Sequence, residues 1–339
     1  MARWRIMIPG LTENKETLLI DADLIIIGAG PAGLSAAQYA ARANLSVLVL
    51  EQLAPGGQVL LIDVLENYPG IAPGKTGFEF IEDMQRQAES FGAKFLTEQA
   101  QALRKEGETF IVTQGNGRTL SAQAVIIATG AKHRTLDIPG EKEFYGRGVS
   151  YCATCDGPFF KNKKIFVVGG GDSACDEAQF LSRLTNQVII LHRRDRFRAQ
   201  KALADRTLQN PNIRVRFNTV MKEIKGTGKV SSVVLEKTGS GAGTAEISEE
   251  SADAVFVFTG TVPQTALVSG ANGGLKAETD ENGYIITDQN MASSAPGLFA
   301  VGDVRATPFR QVITAAGDGA AAAHCAAAYI DSLKGQSYK

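Results

Sequence analysis

The stretch DADLIIIGAGPAGLSAAQYAARANLSVLVLE, Asp21–Glu51, predicts the fold. It reads as a strand (Leu24–Ile27), a glycine turn, a helix (Pro31–Arg42) and a second strand (Val47–Leu50). Both strands are continuously apolar, as expected of parallel strands that are buried on both faces. The stretch is therefore a βαβ unit, the building block of a doubly wound α/β domain.

The turn of this unit has the spacing GxGxxG, formed by Gly28, Gly30 and Gly33. In such a turn the first glycine permits the bend, the second lets backbone approach a pyrophosphate, and the third lets helix pack on strand. The helix N-terminus stabilises the bound anion. Glu51 ends the next strand, where an acid accepts the ribose hydroxyls. The pattern predicts a dinucleotide site.

The same pattern returns in KKIFVVGGGDSACDEAQFLSRLTNQVIILHRR, Lys163–Arg194. It predicts a strand at Ile165–Val168, a helix at Ser173–Leu184 and a strand at Val188–Leu191. Two such units predict two doubly wound domains.

The second glycine turn differs from the first at its third position. Gly169 and Gly171 begin the fingerprint and Ala174 stands where the third glycine would be, a replacement that the pattern permits. Asp172 and Ser173 are expected to cap the helix.

A basic cluster, HRRDRFR, replaces the acid at the end of the second strand. It brings together His192, Arg193, Arg194 and Arg198. An acid would repel a 2′-phosphate, whereas guanidinium groups bind it in bidentate fashion. The cluster predicts NADP(H) at the second site; a solvated basic surface is the alternative.

Composition indicates a soluble two-domain protein. The chain has 339 residues, which is more than one ordinary hydrophobic core accommodates. Hydrophobic residues make up 44 % and charged residues 21 %, the balance of a soluble globular protein. A net charge of −1 gives no sign of a nucleic-acid or anionic-membrane partner. The apolar stretch Leu24–Ala41 is interrupted by glycines and a proline, and the N-terminus lacks a leader pattern. We expect a cytoplasmic protein.

The stretch SYCATCDGPFF, Ser150–Phe160, holds two of the four cysteines, and it allows a metal site, a static disulfide or a redox pair. Zinc needs about four ligands, and neither a second CxxC nor a histidine pair accompanies this one. Static disulfides are uncommon in the cytosol. The pair Cys152 and Cys155 is therefore predicted to be redox-active, with no metal. A flavin accepts hydride from a nicotinamide and reduces a disulfide, so FAD is the expected ligand of the first turn.

The remaining segments follow from periodicity and turn residues. We expect a loop at Pro55–Gly77, a helix at Gly77–Phe91, strands at Thr109–Thr113, Leu120–Ile127, Ile213–Asn218, Val230–Glu236, Ala254–Phe258 and Leu298–Val301, a hairpin tip at Thr238–Thr244, a hairpin at Glu281–Thr287 and a helix at Gln311–Leu333.

The motifs together resemble the low-molecular-weight, bacterial-type, NADPH-dependent thioredoxin reductases, from about Asp23 to Tyr329. The resemblance rests on their order: GAGPAG, GGQ, ENYPG, IATGA, CATCDG, GGGDSACDEA, HRRDRFRA, PGLFAVGDV and RQVITAAGDG. It implies an FAD-binding domain in two parts, 1–146 and 279–339. An NADPH-binding domain that carries the CxxC, 147–278, would be inserted between them. Homodimerisation is a further implication.

The resemblance also assigns site residues. For FAD it implies Gly28, Gly30, Ala32, Gly33, Glu51, Gln52, Gly57, Gln58, Asn67, Thr129, Gly130, Gly302, Asp303, Arg310, Gln311 and Val312. For NADPH it implies Gly170, Gly171, Asp172, Ser173, His192, Arg193, Arg194 and Arg198.

The implied reaction passes electrons from NADPH through FAD and the Cys152–Cys155 disulfide to the disulfide of thioredoxin. Cys155 would be the cysteine next to the flavin, Cys152 the one that attacks the partner, and Asp156 the acid/base group. The stretch Val59–Glu66 departs from the family, which often carries threonine or serine there.

Three other functions stay open. The reductase subunit of an alkyl hydroperoxide system resembles this chain, but it adds an N-terminal thioredoxin-like domain, and only some twenty residues precede Asp23. A flavin dithiol oxidase would not need the arginine cluster. A redox sensor would titrate with thioredoxin without turning over.

Overall fold

The structure is a computed structural model that describes residues 20–62, 65, 67–237, 246–271 and 274–335, without the side chains of Leu61 and Cys155. The described chain forms two compact units. Unit 1 comprises the residues up to Lys132 and from Pro263 onward, and unit 2 is the continuous segment His133–Val262. The domain borders at 146/147 and 278/279 remain a prediction.

The elements of unit 1 surround one large sheet. Its helices are α1 (Pro31–Arg42) and α2 (Gly77–Ser90), followed near the C-terminus by a long helix, Val312–Leu333. Its strands are β1 (Ala22–Ile27), β2 (Val47–Glu51), β3 (Lys94–Thr97), β4 (Ala100–Glu106), β5 (Thr109–Gln114) and β6 (Thr119–Ile127), with Leu298–Ala300 added late in the chain.

The strand order of this sheet is β3-β2-β1-β6-β5-β4, and Leu298–Ala300 also pairs with β6. The strands from β3 to β6 are parallel, whereas β6, β5 and β4 are antiparallel. Leu24 and Ile26 face one apolar cluster, which includes the helices; Ile25 and Ile27 face another. The sheet is therefore buried on both faces, as the apolar run in β1 predicts.

Unit 2 is built around the second βαβ unit. β7 (Ala131–His133) and β16 (Thr261–Pro263) span the two borders of unit 2 in the sequence. The strands within unit 2 are β8 (Val149–Ser150), β9 (Ile165–Gly169), β10 (Val188–Leu191), β11 (Ile213–Arg216), β12 (Thr219–Thr227), β13 (Lys229–Lys237), β14 (Glu246–Ser251) and β15 (Ala254–Phe258). The late strand of unit 1 is β17 (Leu298–Ala300). The helices of unit 2 are α3 (Ala153–Asp156), α4 (Asp172–Leu181) and α5 (Lys201–Gln209), so the C-terminal helix of unit 1 is α6 (Val312–Leu333).

A parallel sheet, β11-β10-β9-β15-β8, forms the centre of unit 2, and β12-β13-β14 form an antiparallel sheet. Unit 2 thus repeats the Rossmann-like arrangement of unit 1, and the predicted α/β class with two doubly wound domains is confirmed.

Several predicted elements need correction. The helix expected at Ser173–Leu184 is Asp172–Leu181. The loop expected at Pro55–Gly77 contains a 3₁₀ turn, Gly57–Leu61. The hairpin expected at Glu281–Thr287 is a turn closed by a single bridge between Thr279 and Ile285. The hairpin tip expected at Thr238–Thr244 lies outside the described residues.

Candidate functional site

The first glycine turn combines two tightly packed glycines with one open glycine. A Cβ on Gly28 would lie 2.3 Å from the Ala128 carbonyl oxygen, and one on Gly33 would lie 1.9 Å from the Gly28 oxygen. A Cβ on Gly30 would meet no atom within 4 Å. Gly30 also precedes the first residue of α1, the end of a helix that attracts anions. The turn is therefore closed toward the sheet and open where a pyrophosphate would approach.

Glu51, at the end of β2, is tied to this turn. One carboxylate oxygen accepts a hydrogen bond of 2.8 Å from the Ala29 backbone N–H, and the other accepts one of 3.2 Å from Leu53. The acid thus fixes the loop that carries the glycines. Its predicted contact with ribose hydroxyls, and that of the neighbouring Gln52, remain predictions.

Two distant segments meet beside the turn. The Asn67 amide donates a 3.0 Å hydrogen bond to the Gln311 side chain, 244 residues away. A Cβ on Gly57 would lie 3.7 Å from Cα of Gly30, so these two glycines border the same space. Gln58 donates a 2.6 Å hydrogen bond to the Ala131 oxygen. Asn67 and Gln311 are thus brought together as neighbours.

The turn Gly302–Val304 is held by a largely buried ion pair. The Asp318 carboxylate, on α6, accepts a 3.2 Å hydrogen bond from the Gly302 N–H and lies 3.1 Å from the Arg305 guanidinium. Arg305 also donates to the Thr287 hydroxyl at 2.8 Å. Asp303 lies within this braced turn, and burial raises the pKa of its carboxyl.

The segment before α6 carries Arg310, which is partly buried. The Arg310 guanidinium carbon lies 4.0 Å from the centre of the Tyr284 ring, and the Arg310 Nε is buried without a hydrogen-bond partner. Gln311 caps α6 through a reciprocal arrangement with Thr314, and Val312 is the first residue of the helix. Thr129 and Gly130 are held at the end of β6 by Gln264, whose oxygen and N–H bond to them at 2.7 and 2.9 Å.

These residues fit a flavin dinucleotide. The open glycines Gly30 and Gly57 leave a cradle that a side chain would fill, and a helix N-terminus stands beside it. Asn67 and Gln311 lie together, and Arg310 directly precedes Gln311 in the chain. The orphaned Arg310 Nε is a donor of the kind that a ligand would satisfy.

The second glycine turn, like the first, combines tightly packed glycines with one open glycine. A Cβ on Gly169 would lie 2.4 Å from the Phe258 oxygen, and one on Gly170 would lie 2.2 Å from Nδ1 of His192. A Cβ on Gly171, the N-cap of α4, would meet no atom within 4 Å. The expected caps are wrong, because neither Asp172 nor Ser173 caps α4 with its side chain. The Asp172 carboxylate instead accepts a 2.7 Å hydrogen bond from the Gln200 N–H.

His192 is a packing residue in this structure. It is 5 % exposed, its ring lies against Gly170 and the rings of Phe197 and Phe217, and its Nε2 is buried without a partner. Burial and the neighbouring Arg198 lower the pKa of the imidazole, so it is neutral near pH 7. Its predicted contact with a 2′-phosphate remains a prediction.

The three arginines of the cluster are exposed. Within the described chain, no carboxylate forms a salt bridge with Arg193, Arg194 or Arg198. The Arg198 N–H donates a 2.7 Å hydrogen bond to the Gly170 oxygen, which ties the cluster to the glycine turn. Uncompensated guanidinium groups beside an open helix N-terminus suit a phosphorylated ligand.

The CxxC segment lies at the short helix α3: Cys152 directly precedes the helix, and Cys155 is within it. Cys152 is in a disulfide, while Cys175 and Cys325 are free. The Cys155 side chain lies outside the described residues, so its pairing with Cys152 remains a prediction. The Asp156 N–H donates a 3.2 Å hydrogen bond to the Cys152 oxygen. The acid is thus placed one helical turn from Cys152.

A buried acid lies under the residue that precedes Cys152. Glu141, which is 1 % exposed, accepts hydrogen bonds of 2.8 Å from the Tyr151 hydroxyl, from the Leu136 N–H and from the Asp137 N–H. Burial and this acid raise the pKa of Tyr151. His133 stacks on the Tyr151 ring with centroids 5.9 Å apart. Tyr151 is therefore fixed from two sides.

Sequence reasoning missed several of these supporting residues. Gln264, Tyr284 and Glu141 lie outside the quoted motifs, whereas Asp318 lies inside RQVITAAGDG without any role predicted for it. Burial would have indicated the acids Asp318 and Glu141, but a single sequence does not show which acids are buried.

Comparisons with known proteins give one family throughout. The family model described as pyridine nucleotide-disulphide oxidoreductase matches residues 22–319. The chain is 56 % identical to a thioredoxin reductase of Treponema pallidum, covering 93 % of this chain and 99 % of that protein. It is 43 % identical to a thioredoxin reductase of Peptoclostridium litorale, covering 92 % and 98 %.

Solved structures agree. Lactococcus lactis thioredoxin reductase in its FR conformation superposes with a TM-score of 0.83 at 41 % identity, over 92 % of this chain and 100 % of that one. The enzyme of T. acidophilum superposes with a TM-score of 0.80 at 34 % identity, over 92 % and 99 %.

Proposed function

The chain belongs to the pyridine nucleotide-disulphide oxidoreductase family and is an oxidoreductase of the thioredoxin reductase type, and from that premise we propose that it reduces the disulfide of thioredoxin with electrons from NADPH. The observation that carries the proposal is the disulfide at Cys152, in the same unit as the open glycine turn and the unpaired arginines. That unit combines a group to be reduced with a place for the reductant.

We propose FAD and NADPH as the cofactors of this flavin- and pyridine-nucleotide-using family. Gly30, Glu51, Gly57, Asn67 and Gln311 would hold FAD. For NADPH, Gly171 would face the pyrophosphate and the three arginines the 2′-phosphate. Bound together, these groups supply hydride transfer from nicotinamide to flavin and two-electron reduction of the disulfide.

The chain's own residues carry out the exchange with the partner. In the reduced pair, the Cys152 thiolate attacks one sulfur of the partner's disulfide, a mixed disulfide forms, and the other partner sulfur leaves as a thiolate. Cys155 then attacks the Cys152 sulfur, the intramolecular disulfide forms again, and the second partner sulfur is released. Asp156 is proposed to donate the proton that a leaving thiolate takes up.

The partner and location are proposed with the activity. Thioredoxin is the protein substrate, the chain forms a homodimer, and the protein is cytoplasmic. None of the helices in the described chain is long and apolar enough to cross a bilayer.

The test measures turnover of NADPH and NADH with thioredoxins from the same organism, for the wild-type chain and for Cys152→Ser and Cys155→Ser. We expect sustained turnover, faster with NADPH, and loss of thioredoxin reduction in both variants. Full thioredoxin reduction by the Cys155→Ser variant would contradict the roles of the pair. Stoichiometric oxidation without turnover would indicate a sensor instead.

A further inference from the structure

Thr154 lies between the two cysteines, and its hydroxyl oxygen is 3.4 Å from the Cys152 sulfur. A disulfide sulfur carries no proton, so the hydroxyl is the donor and the sulfur the acceptor. We propose that Thr154 is a further catalytic residue, which hydrogen-bonds the Cys152 sulfur and stabilises its thiolate form. This inference rests on the proposed function, in which Cys152 attacks the partner.

The backbone around Cys152 is held by hydrogen bonds that do not involve its sulfur. Ser150, which is 2 % exposed, accepts a 3.0 Å hydrogen bond from the Cys152 N–H and donates one of 3.1 Å to the Cys152 oxygen. The same oxygen accepts the Asp156 N–H. Because these hydrogen bonds do not use the sulfur, and because Tyr151 is held by Glu141, we expect the backbone at Cys152 to stay in place when the disulfide is reduced.

The two residues between the cysteines have different surroundings. Ala153 is fully buried in an apolar cluster with Ala174, Ala178 and Leu181. Thr154 is only partly buried and directs its hydroxyl to the sulfur. Ala153 thus packs α3 onto the rest of unit 2, and Thr154 places its hydroxyl beside the Cys152 sulfur.

The described residues around this segment include three acids and one base, His133, which stacks on Tyr151 and whose pKa is lowered by burial. Asp156 lies in α3, Glu177 lies on α4, which packs against α3, and Glu141 lies under Tyr151. Each of them, when ionised, disfavours a thiolate nearby. A neutral hydroxyl donor acts in the opposite direction, since a hydrogen bond to the charged form favours that form.

The hydroxyl acts on the exchange through the amount of thiolate. More thiolate at neutral pH gives faster attack on the partner's disulfide, although a lower pKa also reduces the nucleophilicity of each thiolate. Removing the hydroxyl is expected to raise the pKa of Cys152 by about one unit, that is, to leave roughly tenfold less thiolate well below the pKa.

The test uses the full flavin-loaded chain with Cys155→Ser, which leaves Cys152 as a free thiol. Three versions are compared: Thr154 unchanged, Thr154→Val, which keeps the shape, and Thr154→Ser, which restores the hydroxyl. The rate of iodoacetamide alkylation is followed against pH on the Cys152 peptide by mass spectrometry. The pH midpoint of this rate profile reports the pKa of the Cys152 thiol. We expect the midpoint to rise by about one pH unit in the valine variant and to stay near the parent value in the serine variant.

An unchanged midpoint in Thr154→Val, or an equal rise in Thr154→Ser, would overturn the inference. Thr154→Ala gives a second hydroxyl-free variant, whose midpoint must rise as well. Alkylation does not require thioredoxin, so a chain that fails to turn over with thioredoxin would contradict the proposed function, while the midpoints alone would still decide the role of Thr154.

A turnover experiment in the Cys155-containing chain adds a kinetic signature. In Thr154→Val, kcat/KM for thioredoxin is expected to fall several-fold at neutral pH and to approach the wild-type value at alkaline pH. Ferricyanide reduction by NADPH, which bypasses the disulfide, should be unchanged. An equal loss at every pH would overturn the inference, because it would indicate a structural role.

Discussion

Glu177, on α4, has a carboxylate oxygen that is buried without a hydrogen-bond partner. Burial, and secondarily the charge of Asp176, raises the pKa of its carboxyl to about 7. Between the ordinary carboxyl pKa of 4.5 and the raised value of about 7, the folded chain binds this proton and the unfolded chain does not. The free energy of unfolding therefore falls as pH rises through this range. Glu177 therefore destabilises the fold above neutral pH.

Replacing Glu177 with Gln removes the titrating group. In the wild-type chain we expect Glu177 to reduce the free energy of unfolding by about 2 kcal/mol between roughly pH 5.5 and pH 8.5. Urea unfolding should show the Gln variant to be the more stable chain at the higher pH, with a smaller pH slope. The exposed Glu82 provides a control, and its Gln variant should keep the wild-type slope. If the free energy of unfolding changed with pH equally in Glu177→Gln and in the wild type, Glu177 would be ionised at both ends of this pH range, and the prediction would be wrong.

Gly170 and Gly171 are neighbours with opposite surroundings, which makes alanine at each a matched pair. A Cβ on Gly170 would overlap the His192 ring at 2.2 Å, whereas a Cβ on Gly171 would enter open space. Gly170→Ala is expected to cost about 1–3 kcal/mol of stability, as overpacking does. Gly171→Ala should keep the stability and weaken NADPH binding, since its methyl group would occupy the approach of the pyrophosphate. Thermal unfolding and NADPH titration of both variants separate the two roles; loss of stability in Gly171→Ala would refute the division.

At the scale of elements, the glycine-turn units were the predictable part. The helix predicted at Pro31–Arg42 has those bounds, and so has the strand at Val188–Leu191. The bounds of these elements can be predicted from neighbouring residues alone, because the strands are continuous apolar runs and a proline marks the start of the helix. The strands β3, β4, β12 and β14 were missed, because exposed or charged residues interrupt each of them, so that their sequences show no continuous apolar run.

The candidate site was predictable only where a motif marked it. The glycines, Cys152 and the arginine cluster follow from local patterns, but the supports do not. The contact between Asn67 and Gln311 spans 244 residues, and a single sequence does not bring such residues together. The cap expected from Asp172 failed because Gly171 is the N-cap and Asp172 is the first residue of α4; its carboxylate accepts the Gln200 N–H instead.

The brace between α6 and the turn Gly302–Val304 is a testable element contact. Asp318→Asn removes the charge that holds Arg305 while it keeps a side-chain oxygen for the Gly302 N–H. Leaving a partly buried guanidinium unpaired is expected to cost about 1–3 kcal/mol in stability or in FAD binding. Fluorescence titration of the flavin-free chain with FAD measures the latter. Asp83→Asn, on the exposed surface of α2, is the control and should bind FAD like the wild type; equal behaviour of the two variants would show that the brace contributes nothing.

At the scale of the molecule, each compact unit has its own cores and its own glycine turn. The clusters around β1 and β6 belong to unit 1, and those around β9 and β15 to unit 2. Units with separate cores are expected to unfold in separate transitions, and a ligand stabilises the unit that binds it. The two cofactor assignments can therefore be tested without any turnover.

In calorimetric scans of the flavin-loaded chain we expect two transitions, and NADP⁺ at about 100 times its Kd should raise the midpoint of one of them. The stabilisation is about 2.7 kcal/mol, which for a unit of this size corresponds to roughly 5–15 °C. Replacing both Arg193 and Arg194 with Ala should abolish the shift at the same NADP⁺ concentration. Arg183→Ala, two residues beyond the C-terminal end of α4, should retain it. A shift of both transitions together would show that the units unfold as one body. A full shift in the double variant would place the 2′-phosphate away from the arginine cluster.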